Sequence, residues 1–323
     1  PGEIVTPSGD FDQRAILIIL MSECVRILAP AKVNLALAVG PLDEGCGLHP
    51  VASWMRTIDF CDQLELKKLP DGSFSRFATV WSEQAPRPTD IDWPLARDLA
   101  FRAHQAVEAH VGTSLPIQSL LTKEIPVGSG LGGGSSNAAA MLRALDALFG
   151  LSLGNEALAT IAASLGSDVP FFLQGGDAVV SGFGERCVPT QCERFPALVL
   201  VFPATACPTG EIFDAFDEQQ PQDFAPERID EVLQGSDLEG DDLFNDLLHA
   251  AETVEPELVE CRTALKPLAE RTVHLTGSGS TLFVPADNTM HAEALATAIE
   301  ERLGLKARVV SAVGLPPAEM HCA

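Results

Sequence analysis

The run Pro126-Val-Gly-Ser-Gly-Leu-Gly-Gly-Gly-Ser-Ser-Asn137 constrains the fold of this chain more than any other segment. Five glycines, Gly128, Gly130, Gly132, Gly133 and Gly134, fall within seven residues, and a stretch rich in alanine and leucine follows at once with helical period. Glycine permits positive φ and lets a ligand approach the main chain. A helix start directly behind it offers unpaired N–H groups and the positive end of a dipole. Together they predict a seat for phosphate, because flexible linkers rarely run straight into an amphipathic helix. Gly128, Gly130 and Gly133 match a bare GxGxxG, but a dinucleotide fold also needs an acidic residue about 20 positions on. The nearest later acid is Asp146, inside the predicted helix. No Gly-Lys pair occurs in the chain, which excludes a Walker A loop. The phosphates are expected to be held by backbone and hydroxyl groups, with any lysine supplied from elsewhere.

A chain of 323 residues can bury a large core and is expected to form two domains. Its 21 basic and 45 acidic residues give a formal charge of −24, which argues against nucleic-acid and anionic membrane partners. The eight cysteines are scattered, without CxxC or zinc-like spacing, and predict reduced thiols in a cytoplasmic protein. Residues 15–20 are apolar but far too few to span a bilayer. Residues 1–22 lack the basic start of a secretory leader and read as an N-terminal extension.

Apolar patterning predicts strands over 25–28 and 33–39, on either side of Lys32. Strands are also predicted over 52–59 and 63–69 with a turn at 60–62, and over 77–81 and 116–121. Helices are predicted over 94–110, 135–149 and 155–165, then strands over 178–181 and 197–202. The acidic stretch 217–242 is expected to be a loop with one short helix at 229–233. Helices over 243–254 and 256–265 lead to strands over 273–277 and 281–284, which flank a second glycine turn, Thr276-Gly-Ser-Gly-Ser280. A helix over 291–303 and a strand over 307–312 complete the pattern. Helices and strands mix without strict alternation, which predicts an α+β fold.

Three further segments carry candidate chemistry: Pro30-Ala-Lys32-Val-Asn34, Gly166-Ser-Asp168-Val-Pro170, and the second glycine turn. Singly they are ordinary: a lysine at a strand start, an aspartate at a helix cap, a tight hairpin. Their order around the glycine run resembles the GHMP kinases (galactose, homoserine, mevalonate and related small-molecule kinases), over about residues 23–320. The triple glycine followed by Ser135-Ser136-Asn137 is most similar to the branch whose acceptor is a cytidyl-diphosphate sugar alcohol. Three segments agree with that branch: Ala29-Pro-Ala-Lys-Val-Asn-Leu35, Leu165-Gly-Ser-Asp-Val-Pro-Phe-Phe172 and Leu243-Phe-Asn-Asp-Leu247.

The resemblance implies a two-domain GHMP kinase fold. Residues 23–188 would form an ATP-binding domain like domain 2 of ribosomal protein S5, and 189–323 a ferredoxin-like domain. It implies transfer of the γ-phosphoryl of ATP to the 2-hydroxyl of the acceptor's methylerythritol moiety, in isoprenoid precursor synthesis. Lys32 and Asp168 align with the catalytic pair. Pro126, Gly128, Ser129, Gly130, Leu131, Gly132, Gly133, Gly134, Ser135, Ser136 and Asn137 align with the ATP loop, and Lys123 with a lysine near the adenine. Asn34, His49, Phe213, Gly277 and Gly279, with Asp168, align with the acceptor site. Mg²⁺ is expected with ATP, with Ser135 or Ser136 as candidate ligands, and the protein is expected to be a monomer or homodimer. The sequence departs from the branch in two places. Cys46-Gly-Leu48-His49 stands where it usually has Asp-Gly-Tyr-His, and Asp98 stands where it has an asparagine near the adenine. Leu48 favours one alternative, a GHMP kinase for another small alcohol; a second alternative, a nucleotide-binding regulatory protein without transfer, has the presence of both Lys32 and Asp168 against it.

Overall fold

The computed structural model describes residues 23–191, 194–219, 224–237, 239–316 and 318–322. The N-terminal extension lies outside them, as do residues 220–223 and 238 of the acidic stretch. Two strands dominate the first half: β1, Glu23–Val39, and β2, Val51–Lys68, paired antiparallel along most of their length. Each was expected as two strands, and the expected turn at 60–62 is instead a bulge. Pro30 pairs with Cys61 and Ala31 with Ile58, so Asp59 and Phe60 are extra residues on β2, which bends a strand without ending it. Beyond the bulge, Asp62, Leu64 and Leu66 continue one inward-facing row. The same irregularity marks a change of layer along β1. Val25, Ile27 and Ala29 join one core, while Ala31, Val33 and Leu35 join another.

The first sheet runs β11-β1-β2-β4-β3, with β5 on the other half of β2 and β6 beside β5. Here β3 is Arg76–Trp81, β4 Ile117–Lys123, β5 Asp177–Gly182, β6 Arg186–Pro189 and β11 Glu319–Cys322. Helices α1 (Leu99–Val111), α2 (Gly133–Phe149), α3 (Gly154–Leu165) and α4 (Val169–Gln174) contribute to one core with β1, β2, β4 and β5. The helix expected over 94–110 divides at Asp98, whose extended backbone separates a short 3₁₀ turn, Leu95–Arg97, from α1.

The chain passes to a second sheet between Pro189 and Ala197. Its strands are β7 (Ala197–Phe202), β8 (His274–Leu275), β9 (Leu282–Ala286) and β10 (Lys306–Val310), in the order β10-β7-β9-β8. Helices α5 (Thr209–Glu218), α6 (Glu227–Gln234), α7 (Leu248–Val254) and α8 (Glu257–Ala269) lie between β7 and β8. Helix α9 (Thr289–Leu303) lies between β9 and β10. This is the β-α-β-β-α-β order of a ferredoxin-like unit. The helix expected over 243–254 begins only at Leu248, because Asn245 is held in a bridge to Leu37 of β1. A third core, with Leu35, Trp54, Phe195, Leu200 and Phe283, joins the two sheets. Strand β11 returns to pair with residues 23–26 of β1, so the last described residues lie beside the first sheet rather than the second.

Candidate active site

A cleft of about 1020 Å³ is lined by residues of β1, the glycine loop, the head of α2, α5 and the second glycine turn. The loop between β4 and α2 forms one wall. Gly130 and Gly132 adopt φ of +73° and +71°, and both are pressed against other chain segments. A Cβ on Gly130 would lie 2.1 Å from the Thr276 carbonyl oxygen, and one on Gly132 would lie 2.8 Å from the Phe172 ring. Glycine is therefore required there by space as well as by φ. The backbone N–H of Lys32 donates to the Leu131 carbonyl (2.9 Å), and that of Thr281 donates to Ser129 (3.2 Å). The loop is thus stitched to β1 on one side and to the second glycine turn on the other.

Helix α2 begins at Gly133, so Gly133 and Gly134 belong to its first turn rather than to the loop, and no side chain caps it. Its first N–H groups remain available to an anion. Pro126, Gly128, Ser129, Gly130, Gly132, Gly133, Gly134, Ser135 and Asn137 all line the cleft. Leu131 and Ser136 are buried and lie outside its lining, and the Ser136 hydroxyl has no partner among the described residues. Gly277 lines the cleft, while Gly279 packs against Cys207 and Leu275 behind it.

Lys32 and Asp168, far apart in sequence, meet in this cleft with Nζ and Oδ2 3.7 Å apart. Asp168 occupies the N-cap position of α4 but its side chain caps nothing, which leaves the carboxylate to face the lysine. Lys32 is only 4 % exposed. Burial pushes its ammonium below the ordinary lysine range, and Asp168 opposes that shift. Its Nζ also donates to Asn34 Oδ1. The Asn34 amide is fixed in turn, since its Nδ2 donates to Ser53 Oγ (2.8 Å) and Ser53 donates to the Ala36 carbonyl (2.7 Å). The Asn34 backbone N–H donates to Thr276 Oγ1 (2.9 Å). Asn245, absent from the sequence candidates, donates to the carbonyls of Leu275 and Gly277 (both 2.9 Å) and so holds the second glycine turn.

At another part of the cleft His49 packs on Phe213 with ring centroids 4.9 Å apart. Its Nδ1 lies 2.9 Å from the Gly40 carbonyl. A carbonyl only accepts, so Nδ1 carries the proton and Nε2 turns to Asp217 Oδ2 at 3.6 Å. Leu48 also lines the cleft and is 47 % exposed.

The sequence candidates also missed Asp62. Its carboxylate is fully buried. Oδ1 accepts from the backbone N–H groups of Glu124 (2.7 Å) and Ile125 (2.8 Å). Oδ2 accepts from Lys123 Nζ (2.5 Å) and Asn137 Nδ2 (3.0 Å). The alternation of Asp62 with Leu64 and Leu66 was a legible signal for an inward-facing acid, hidden by the turn expected there. Lys123 Nζ lies 5.8 Å from the centre of the Trp81 ring. Asp98 lines the cleft, but its Oδ1 caps α1 by accepting from Ala100 (2.9 Å) and Phe101 (3.1 Å). Asparagine and aspartate are equally good in that capping role, which makes the departure at Asp98 structurally mild.

The GHMP kinases N terminal domain model matches residues 98–176. A 4-diphosphocytidyl-2-C-methyl-D-erythritol kinase of Xanthomonas campestris pv. campestris is 36 % identical over 257 residues, 79 % of this chain and 80 % of that protein. Its counterpart from Thermus thermophilus is 35 % identical over 84 % of this chain and 91 % of that protein. Among solved structures, a 4-(cytidine 5'-diphospho)-2C-methyl-D-erythritol kinase superposes with a TM-score of 0.68 at 31 % identity, covering 89 % of this chain and all of that one. The mevalonate kinase of Methanococcus jannaschii shares the fold at a TM-score of 0.60 and 12 % identity, covering 90 % and 98 %.

Proposed function

Because the chain belongs to the 4-diphosphocytidyl-2-C-methyl-D-erythritol kinase family of GHMP kinases, we propose that it phosphorylates the 2-hydroxyl of that sugar alcohol with ATP, a step toward isoprenoid precursors. The observation that supports this reading most is the meeting of Lys32 and Asp168 beside an uncapped helix head and a glycine cradle in one cleft.

Phosphoryl transfer passes through a loose transition state, so positioning and charge neutralisation outweigh strong base catalysis. Asp168 orients the acceptor hydroxyl and takes its proton as the new bond forms. The Lys32 ammonium, held by Asn34 and Asp168, neutralises charge on the moving phosphoryl group. The glycine-loop N–H groups and the open head of α2 hold the triphosphate. His49 and Phe213 receive the cytosine, with Leu48 covering it in place of an aromatic ring. Gly277 closes over the acceptor.

Among the described residues, no group of three or more His, Cys, Asp or Glu side chains could hold a metal ion. Two of the oxygen donors that line the cleft, the Ser135 hydroxyl and the Asp168 carboxylate, suit Mg²⁺ that would arrive on the triphosphate and need only one or two protein ligands. Held there, Mg²⁺ would supply positive charge that offsets that of the phosphates.

The test is ADP release with ATP, Mg²⁺ and a panel of acceptors, with phosphorus NMR locating the new ester. The cytidyl-diphosphate sugar alcohol is expected to stimulate release and to gain phosphate on its 2-hydroxyl. Release stimulated instead by homoserine, mevalonate or another alcohol would reject this acceptor, and nucleotide binding without transfer would reject the activity.

A further inference from the structure

We infer that Asp62, a residue outside the cleft lining, is a positioning residue for nucleotide binding: its one buried carboxylate ties together both ends of the glycine loop. The inference rests on the reading of that loop as the ATP seat. Oδ1 holds the segment leading into the loop, through the N–H groups of Glu124 and Ile125. Oδ2 holds the segment leading out of it, through Asn137 in the second turn of α2, and holds Lys123 at the end of β4. The loop from Pro126 to Gly132 spans the gap between these two anchors. Its width, and hence the spacing of its N–H groups, is set by a fully buried group outside the cleft lining. Asp62 is itself fixed, because it sits just past the Asp59–Phe60 bulge on the long strand β2. Charge adds to the geometry. The Lys123 ammonium is almost buried, and Asp62 is the carboxylate at its Nζ.

The two oxygens have separate tasks, so an isosteric change can separate them. In Asp62→Asn the amide oxygen can keep the two backbone N–H groups. The amide nitrogen then faces Lys123 Nζ, which has no acceptor, and the Asn137 amide, which can accept only by turning its Oδ1 to the place its Nδ2 now holds. The start of the loop stays anchored, Lys123 loses both its acceptor and its counter-charge, and the α2 tie is kept only through a turned-over Asn137. A small misplacement of a positioning element is enough to cost about a hundredfold in rate or affinity.

The experiment titrates Mg²⁺ with a non-hydrolysable ATP analogue into the wild-type protein, Asp62→Asn and Asn137→Ala by calorimetry, beside steady-state KM values for ATP and for the acceptor. Thermal melts verify folding. Asp62→Asn is expected to weaken analogue binding and raise the KM for ATP by about ten- to a hundredfold. The acceptor KM is expected to stay within about twofold, since Asp62 makes no tie to the His49–Phe213 end. Asn137→Ala cuts only the α2 tie and is expected to move the same constants less. It also serves as the test should Asp62→Asn not fold. Unchanged analogue binding in a folded Asp62→Asn, or equal losses for ATP and acceptor, overturns the inference. If the wild-type protein fails to bind the analogue, the ATP reading of the loop fails instead.

Discussion

The two ends of the cleft are built in different ways. At the end proposed to seat phosphate, main chain meets main chain. Gly130 touches the Thr276 carbonyl, Lys32 N–H reaches Leu131, and Thr281 N–H reaches Ser129. Little there can change without moving a second segment. At the end proposed to receive the base a few side chains form the wall: His49 on Phe213, with Leu48 half in solvent. A side chain at that end can be exchanged without disturbing the fold, and Leu48 in place of the branch's usual tyrosine is such an exchange. A backbone cradle fixes the chemistry, whereas a side-chain slot leaves the choice of partner adjustable.

The contrast is broken most sharply at the reacting pair. Lys32→Ala is expected to lower kcat by ~10²–10⁴ while the acceptor KM stays nearly constant. Steady-state kinetics with either substrate saturating provide the check, and a change in acceptor KM alone would place Lys32 at the wrong end. Next comes a matched pair of glycines. Gly112 ends α1 at φ +70° with nothing within 4 Å of an added Cβ, whereas Gly130 at φ +73° faces the Thr276 oxygen. Both alanine variants bear similar backbone strain, about 1–2 kcal/mol. Only Gly130→Ala should also displace the cradle and cost about a hundredfold in kcat/KM for ATP. Equal kinetics in the two variants would show that the cradle tolerates movement.

A third prediction concerns the strand that carries the second glycine turn. His274 in β8 is buried, stacks on Phe283, and has no partner for Nε2 among the described residues. Burial, with Arg262 adding to it, depresses its folded-state value from 6.5 to about 4. The unfolded chain therefore binds the proton more readily. This contribution to stability is intact above pH 6.5 and is lost progressively toward pH 4. The loss is about 3 kcal/mol in total, at about 1.4 kcal/mol per pH unit. Urea midpoints for wild type and His274→Phe at pH 7.5 and 5 measure it, and the variant should show the flatter dependence. Equal pH dependence in both proteins would remove His274 as the cause. The smallest effect belongs to the base end. Leu48→Tyr should lower the acceptor KM by about two- to tenfold, matching the ~0.5–1.5 kcal/mol of an aromatic contact beyond its area. The KM for ATP should not move. Weaker acceptor binding would mean that the slot is shaped around leucine.

The same contrast explains what the sequence made legible. Positive φ and close approach demand glycine, so the cradle and the second turn stand out in the letters themselves. Apolar runs located β7 to the residue. Lys32 and Asp168 were legible only jointly, since their meeting depends on a sheet and a helix far apart in the chain. Asp62 was obscured because a bulge and a turn present the same short polar break inside an apolar run. Asn245 was obscured because its task is to hold the backbone of a distant segment, which local periodicity cannot register. Helix α5, which carries Phe213, is short, and Pro208 before it supplies no side-chain cap.

The central claim is that Lys32 and Asp168 perform transfer in a cleft that binds nucleotide without their help. Rapid-quench single-turnover kinetics of Asp168→Asn test it most directly, with γ-labelled ATP and the acceptor both at saturating concentration. The account predicts that ATP affinity measured by calorimetry stays within a few-fold of wild type, while transfer of the labelled phosphoryl group slows by ~10²–10⁴. Transfer at the wild-type rate, or loss of ATP binding in place of transfer, would contradict it.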